Sequence, residues 1–215
     1  EHAHLASIIL SHLIEFNALS KTLQQELFIA TKYHDNGWNS FDKSPQLIPQ
    51  TNIPLNFSQI KTPTHISIWK KSQSMIKKES TIIKLLICKH NIYLAKIRRS
   101  STINKYDAHI LDQFIQKEKE RKKQLELKIP HSITPITLTK LQALLTLVDW
   151  ISLVVCMRQN TIHSEFNIKI NTINYPQIKL HPPLFSNDFK AHITTTQIKE
   201  NTLEKKESNL ILSFD

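Results

Sequence analysis

Leu144-Leu145-Thr146-Leu147-Val148-Asp149-Trp150-Ile151 is an apolar run with one carboxylate in its middle. It lies inside a longer apolar segment, about Thr137 to Met157. A helix that is apolar on every side is buried, so this segment is expected to be the central helix of a helical core. A carboxylate inside such a helix costs several kcal/mol unless it is paired or bound to a metal. A hydroxyl or lysine partner would satisfy Asp149 as a cation would, so this residue alone leaves both readings open.

Working outward from that helix, residues 105–127 form a long charged pattern, with Lys117 to Lys123 read as a solvated helix face. Upstream, Thr81 to Ile97 and Thr62 or Pro63 to Lys78 carry helical spacing. Residues 36–64 hold Asn36-Gly37, Pro45, Pro49, Pro54 and Pro63, the signature of an ordered loop. A loop of that length inside a compact domain is usually functional. Ser20 is placed to cap a helix running to about Asp35, with Leu23, Leu27, Ala30 and His34 on one stripe. Residues 3–16 form a further amphipathic helix through Leu5, Ile8, Ile9, Leu13 and Phe16.

Downstream of residue 160 the period changes. Phe166-Asn167-Ile168-Lys169-Ile170-Asn171 alternates apolar and polar residues as a half-buried strand does. Ile178-Lys179-Leu180 and Leu210-Ile211-Leu212 are shorter strand candidates. The expected architecture is mainly α. A helical bundle over residues 1–160 carries a small β-rich C-terminal appendage, 161–215, packed on the same domain. No internal repeat is visible.

Composition excludes several function classes. The chain has 215 residues, 40 % of them hydrophobic, enough for a real core. The one glycine, Gly37, rules out phosphate loops and dinucleotide fingerprints, which need several. Any phosphate chemistry must then rest on metal ions or cationic side chains. Gly37 itself is expected to adopt a left-handed conformation that stops the preceding helix. The formal charge of +10 and pI near 9.6 suit phosphate-bearing substrates. The lysines look scattered rather than patterned, which supports nucleic-acid binding only weakly. Cys88 and Cys156 sit in apolar helical patterns and are expected as buried thiols, with no disulfide. No continuous apolar run reaches the roughly 18–20 residues that span a bilayer, and no leader pattern opens the chain. A cytoplasmic location without membrane contact is the expectation. The chain opens on Glu1 rather than Met, so residues upstream are expected too.

Most of the 11 histidines need no special role, but four stand apart. His4 lies on the first helix. His34 is followed by Asp35 at the end of the second. His65 opens the third, and His90 follows Leu85-Leu86-Ile87-Cys88 late in the fourth. Imidazole nitrogen and carboxylate oxygen suit divalent metals. Six such ligands on five helices can enclose two ions bridged by Asp35, which would hold a water or hydroxide as nucleophile.

The order His, His-Asp, His, His, Asp resembles the HD-domain superfamily. That resemblance implies an all-helical core and one or two divalent ions such as Mn, Fe, Zn or Mg. It implies His4, His34, Asp35 and Asp149 as the basic ligand set, and His65 and His90 as the added ligands of two-metal members. His34 and Asp35 would carry the chemistry. The chain is also similar to an uncharacterised bacterial family within that group, with a His-Asp-Asp-Gly-Trp motif. The matching text is Glu1-His2-Ala3-His4-Leu5-Ala6, His34-Asp35-Asn36-Gly37-Trp38, Pro54-Leu55-Asn56-Phe57, His65-Ile66-Ser67-Ile68-Trp69 and Leu86-Ile87-Cys88-Lys89-His90. Asn36 replaces the second Asp, and Trp38 stands near where many two-metal phosphodiesterases carry Lys. The implied function is a metal-dependent phosphohydrolase acting on a small phosphomonoester, nucleotide or phosphodiester. Lys32, Trp38, Lys89, Arg98 and Arg99 are the candidate substrate contacts. An HD-type di-iron oxygenase, or a basic binding or regulatory module that keeps the fold, are the alternatives.

Overall fold

The first apolar stretch does not run as one helix over 3–16. Helix α1 (His2–His12) ends where Leu13 turns extended, with φ −65° and ψ 133°, and a short α2 (Ile14–Asn17) follows. Tertiary contacts impose the break. Leu13 bridges Phe185, the Ile14 N–H donates to the Leu184 carbonyl at 3.1 Å, and the His12 ring stacks on Phe189 at 3.9 Å. Helix propensity is a weak prior, and buried neighbours override it here. This computed structural model describes residues 2–51, 53–55, 57–157, 161–163, 167–172, 177–185, 187–199 and 202–214. Glu1, Asn56 and Phe166, which figure in the motif and strand readings, lie outside the described residues.

The remaining helices follow the sequence closely. Helix α3 (Lys21–Tyr33) starts after Ser20, whose Oγ accepts from the Leu23 N–H at 3.4 Å. A 3-10 turn (Asn36–Trp38) and a short α4 (Asn39–Asp42) follow. Helix α5 (Thr62–Met75) has proline in its first turn, where no donor is lost. Ser80 caps α6 (Thr81–Ser100), and Asn104 caps α7 (Lys105–Glu126) by accepting from the Tyr106 and Asp107 N–H groups. Helix α8 (Pro135–Met157) is, among the described residues, the one helix long and apolar enough to cross a bilayer. In its most apolar window, 61 % is buried.

The strands β1 (Thr161–His163), β2 (Ile168–Thr172), β3 (Gln177–His181), β4 (Phe189–Lys199) and β5 (Thr202–Phe214) form one sheet in the order β1-β2-β3-β5-β4. Pairing is antiparallel except between β3 and β5, which run parallel with Ile178 opposite Leu212. The chain is thus mainly helical with a C-terminal β region, as expected. The long β4–β5 hairpin exceeds the short strands read from sequence.

The compact units do not divide at residue 160. One is Glu1–Lys32 with Ala143–Asp215, and the other is Tyr33–Gln142. In the first, the contacts of residues 12–14 with 184, 185 and 189 tie the N-terminal helices to the C-terminal region. In the second, Ile66 and Trp69 of α5 pack with Ala95 of α6 and Leu111, Phe114 and Ile115 of α7. The Trp69 and Phe114 rings stack with centroids 5.6 Å apart.

A buried polar network crosses that second core. Gln73 Nε2 donates to Glu118 at 2.6 Å, Arg121 donates to Gln73 Oε1, and the Cys88 thiol donates to the Glu118 carbonyl at 3.3 Å. The 117–123 stretch is therefore not wholly a solvated face, because Glu118 is buried and Arg121 half-buried. The two cysteines also differ: Cys88 is buried, but Cys156 is exposed.

Gly37 is not left-handed, since no glycine has positive φ. Its role is close approach. A Cβ added there would overlap the Ile68 carbonyl oxygen, with Ser72 Oγ at 2.8 Å and the Ile68 carbonyl carbon at 2.9 Å. The Gly37 N–H also donates to Ser72 Oγ at 2.8 Å, locking the 3-10 turn against α5.

Candidate metal centre

Helical phase selects the histidine of α1. Positions two apart point about 200° from each other at 3.6 residues per turn, so His2 and His4 face opposite ways. His2 shares the face of Leu5, Ala6 and Ile9, all buried, whereas His4 is exposed. His2 Nε2 lies 3.4 Å from Asp149 Oδ1, and Asp149 is only 4 % exposed. The α1 histidine beside Asp149 is therefore His2, and His4, the ligand expected from sequence, is exposed. The i, i+3, i+4 relation of His2 to Leu5 and Ala6 was a visible signal for it.

In the unit Tyr33–Gln142 the other expected donors gather. His34 and His90 are fully buried and His65 nearly so. The His34 and His90 rings meet edge to face with centroids 4.9 Å apart. His34 Nε2 lies 3.9 Å from Asp35 Oδ2. The end of α3 places this pair: His34 continues the buried Leu27 and Ala30 face, and Asp35 turns away into the 3-10 turn.

His65 is held from two sides. Its ring sits 5.3 Å from Trp38 and 5.5 Å from Trp69, both edge to face. Its Nε2 lies 2.6 Å from the Phe57 carbonyl, so in the neutral ring Nε2 carries the hydrogen. The lone pair is then on Nδ1, which is buried with no hydrogen-bond partner among the described residues. Burial is the main force that pushes the His65 pKa down, against the Phe57 bond; Arg98 lowers it further and Asp35 raises it. A neutral imidazole with one nitrogen fixed by a carbonyl and the other open is the state a metal ligand requires.

A family described as "Protein of unknown function (DUF3891)" matches residues 1–200. The chain belongs to the DUF3891 family. No curated protein and no solved structure matches it.

In this DUF3891 chain the five candidate substrate contacts fare differently. Arg98 is a strut: its Nε donates to Thr62 Oγ1 and its Nη2 to the Ile60 carbonyl, fixing the entry of α5 against α6. Trp38 packs on Phe41 as well as His65, with centroids 5.6 Å apart for the former pair. Lys32 is exposed. Arg99 pairs with Asp112 at 3.0 Å. Lys89 lines a cavity, and its pKa is lowered, first by burial and then by Lys122, against the pull of Glu126.

The donor chemistry fits a divalent cation. His2, His34, Asp35 and Asp149 are nitrogen and carboxylate donors of the kind that hold one. His65 adds an open buried nitrogen, and His90 a buried imidazole against His34. One residue that sequence reasoning passed over is Asn91, fully buried beside His90, whose amide atoms have no hydrogen-bond partner among the described residues. A polar residue next to a singled-out histidine was its only signal.

Proposed function

We propose that this DUF3891 chain is a metal-dependent phosphohydrolase of the HD type, acting on a small phosphorylated substrate. The observation that carries the reading is the set of three buried histidines beside Asp35, with the Nδ1 of His65 buried and open. His34, Asp35 and His90 would hold the ion, and His65 a second one. The HD resemblance assigns Asp149 to the ligand set, and His2 is the α1 histidine that pairs with it. A bound divalent ion supplies Lewis-acid polarisation of the phosphoryl group and acidifies water.

The chain's own residues have defined parts. The half-buried Asp35 carboxylate would accept the proton of the attacking water, with His34 orienting it. The Phe57 carbonyl fixes the His65 tautomer, and Trp38 and Trp69 fix its ring. The test measures bound metal by elemental analysis and phosphate release from aryl phosphomonoesters and diesters, with manganese and with iron, for the native chain and for Asp35→Asn. Metal retention and turnover that both fail in Asp35→Asn are expected. Oxygen consumption with iron and no phosphate release with manganese would overturn the hydrolase reading in favour of an oxygenase.

A further inference from the structure

Helices α6 and α7 carry two matched stripes. On α6, Lys89, Ile92, Tyr93 and Lys96 stand at i, i+3, i+4 and i+7, a single helix face. On α7, Lys119, Lys122 and Lys123 stand at i, i+3 and i+4, also one face. The helices run antiparallel, as the Arg99–Asp112 and Cys88–Glu118 contacts require. The two stripes therefore meet, and they line one cavity of about 440 Å³.

The charge in that cavity is strongly one-sided. Lys122 pairs with Glu126 at 2.9 Å. Lys89, Lys96, Lys119 and Lys123 have no ion-pair partner among the described residues. Like charges drawn together on a protein surface repel, and a multivalent anion relieves that repulsion. The remaining wall, Ile92 and Tyr93, is apolar and aromatic. The volume lies in the range of small-molecule sites, roughly 300–1,000 Å³. A single phosphate would leave most of the ammonium groups unmatched.

We propose that the recess between α6 and α7 binds a small polyphosphorylated molecule, its phosphates on the lysines and an apolar or aromatic group on Ile92 and Tyr93. The site does not depend on a metal at the histidines, so the proposal stands or falls apart from the hydrolase reading. Tyr93 nonetheless adjoins the histidine cluster, its ring 6.4 Å from that of His90.

The experiment is calorimetric titration of the full chain with inorganic tripolyphosphate and with adenosine triphosphate, in chelator to keep metal out. Saturable binding that weakens with salt is expected, tighter for the nucleotide because Tyr93 contacts its base. Lys119→Glu with Lys123→Glu should weaken it by at least about tenfold, roughly 1.4 kcal/mol. Lys105→Glu with Lys117→Glu makes the same charge change on the same helix outside the recess, and should weaken it far less. All four lysines are exposed, so the fold should survive, and circular dichroism checks this. Three results would overturn the proposal. These are no saturation at millimolar ligand, equal weakening by both double variants, or binding of long oligonucleotides while tripolyphosphate is ignored.

Discussion

Replacing Gly37 by alanine tests the close approach between the 3-10 turn and α5. The φ at Gly37 is not positive, so alanine meets no backbone strain. It even gains about 0.4–1 kcal/mol by restricting the unfolded chain. Against that, its Cβ overlaps the Ile68 carbonyl, a backbone atom that cannot swing aside. Overpacking of this kind costs about 1–3 kcal/mol. Pushing the turn away also breaks the Gly37 N–H bond to Ser72 Oγ, worth about 0.5–1.5 kcal/mol. The balance is a loss of about 0.5–4 kcal/mol, read as a lower urea midpoint with an unchanged slope. Gly37→Asn separates this account from the left-handed one. If the position needed positive φ, Asn would be tolerated better than Ala, because Asn adopts that region readily. Close approach makes Asn the worse of the two, since it adds atoms where none fit. Alanine at wild-type stability, or asparagine outperforming alanine, would refute the reasoning.

Other outcomes follow from the same geometry. His2→Ala should lower metal affinity by at least tenfold while His4→Ala leaves it unchanged; equal effects in elemental analysis would undo the choice of His2. A thiol reagent at pH 8 should modify Cys156 quickly and Cys88 only after denaturation, because one is exposed and the other buried. Burial, and then Glu118, raise the Cys88 pKa far above its ordinary 9.0. That contribution is full below 9.0 and is lost as pH climbs above it, where only the unfolded thiol ionises. Cys88→Ala should therefore lose less stability than the native chain between pH 8 and 10, and parallel losses would count against it. Gln73→Leu should cost about 1–3 kcal/mol by leaving buried Glu118 without its donor, measured by urea unfolding.

Helix boundaries were legible because their signals are local. Ser20 and Asn104 have the side chains that satisfy the first turn of a helix, and both do so. The α1–α2 break was not legible, because its cause lies at residues 184 and 185, far along the chain. The same holds for the role of Gly37, which depends on Ile68 and Ser72. Strand β4 was readable in Phe189-Lys190-Ala191-His192-Ile193, whose alternation matches that of β2. Within the candidate centre, the residue types were visible from composition alone, since Asp149 in an apolar helix demands a partner. Which α1 histidine supplies one depended on helical phase rather than on spacing. The lysines looked scattered because their pattern needs two helices side by side.

Buried polar groups in the unit Tyr33–Gln142 fall into two kinds, and the difference bears on function. Glu118 is saturated: Gln73 donates to it, Arg121 lies 4.0 Å away, and its carbonyl accepts from Cys88. A satisfied network fixes a unique packing and needs nothing from outside. His65 Nδ1 and the Asn91 amide are buried without hydrogen-bond partners among the described residues. Each such group costs about 1–3 kcal/mol in a folded chain. Asn91 directly follows His90 on α6, and His65 stands on α5 with its ring against Trp38 and Trp69. A cost concentrated beside imidazoles and a carboxylate is what a ligand would repay, because an ion satisfies Nδ1 directly and a coordinated ligand can bond the amide. Stability should therefore rise with added divalent metal in the native chain. That gain should shrink in His65→Phe, which keeps the ring and removes the nitrogen. A metal-independent melting temperature in the native chain would mean that the cost at His65 has no ligand to offset it.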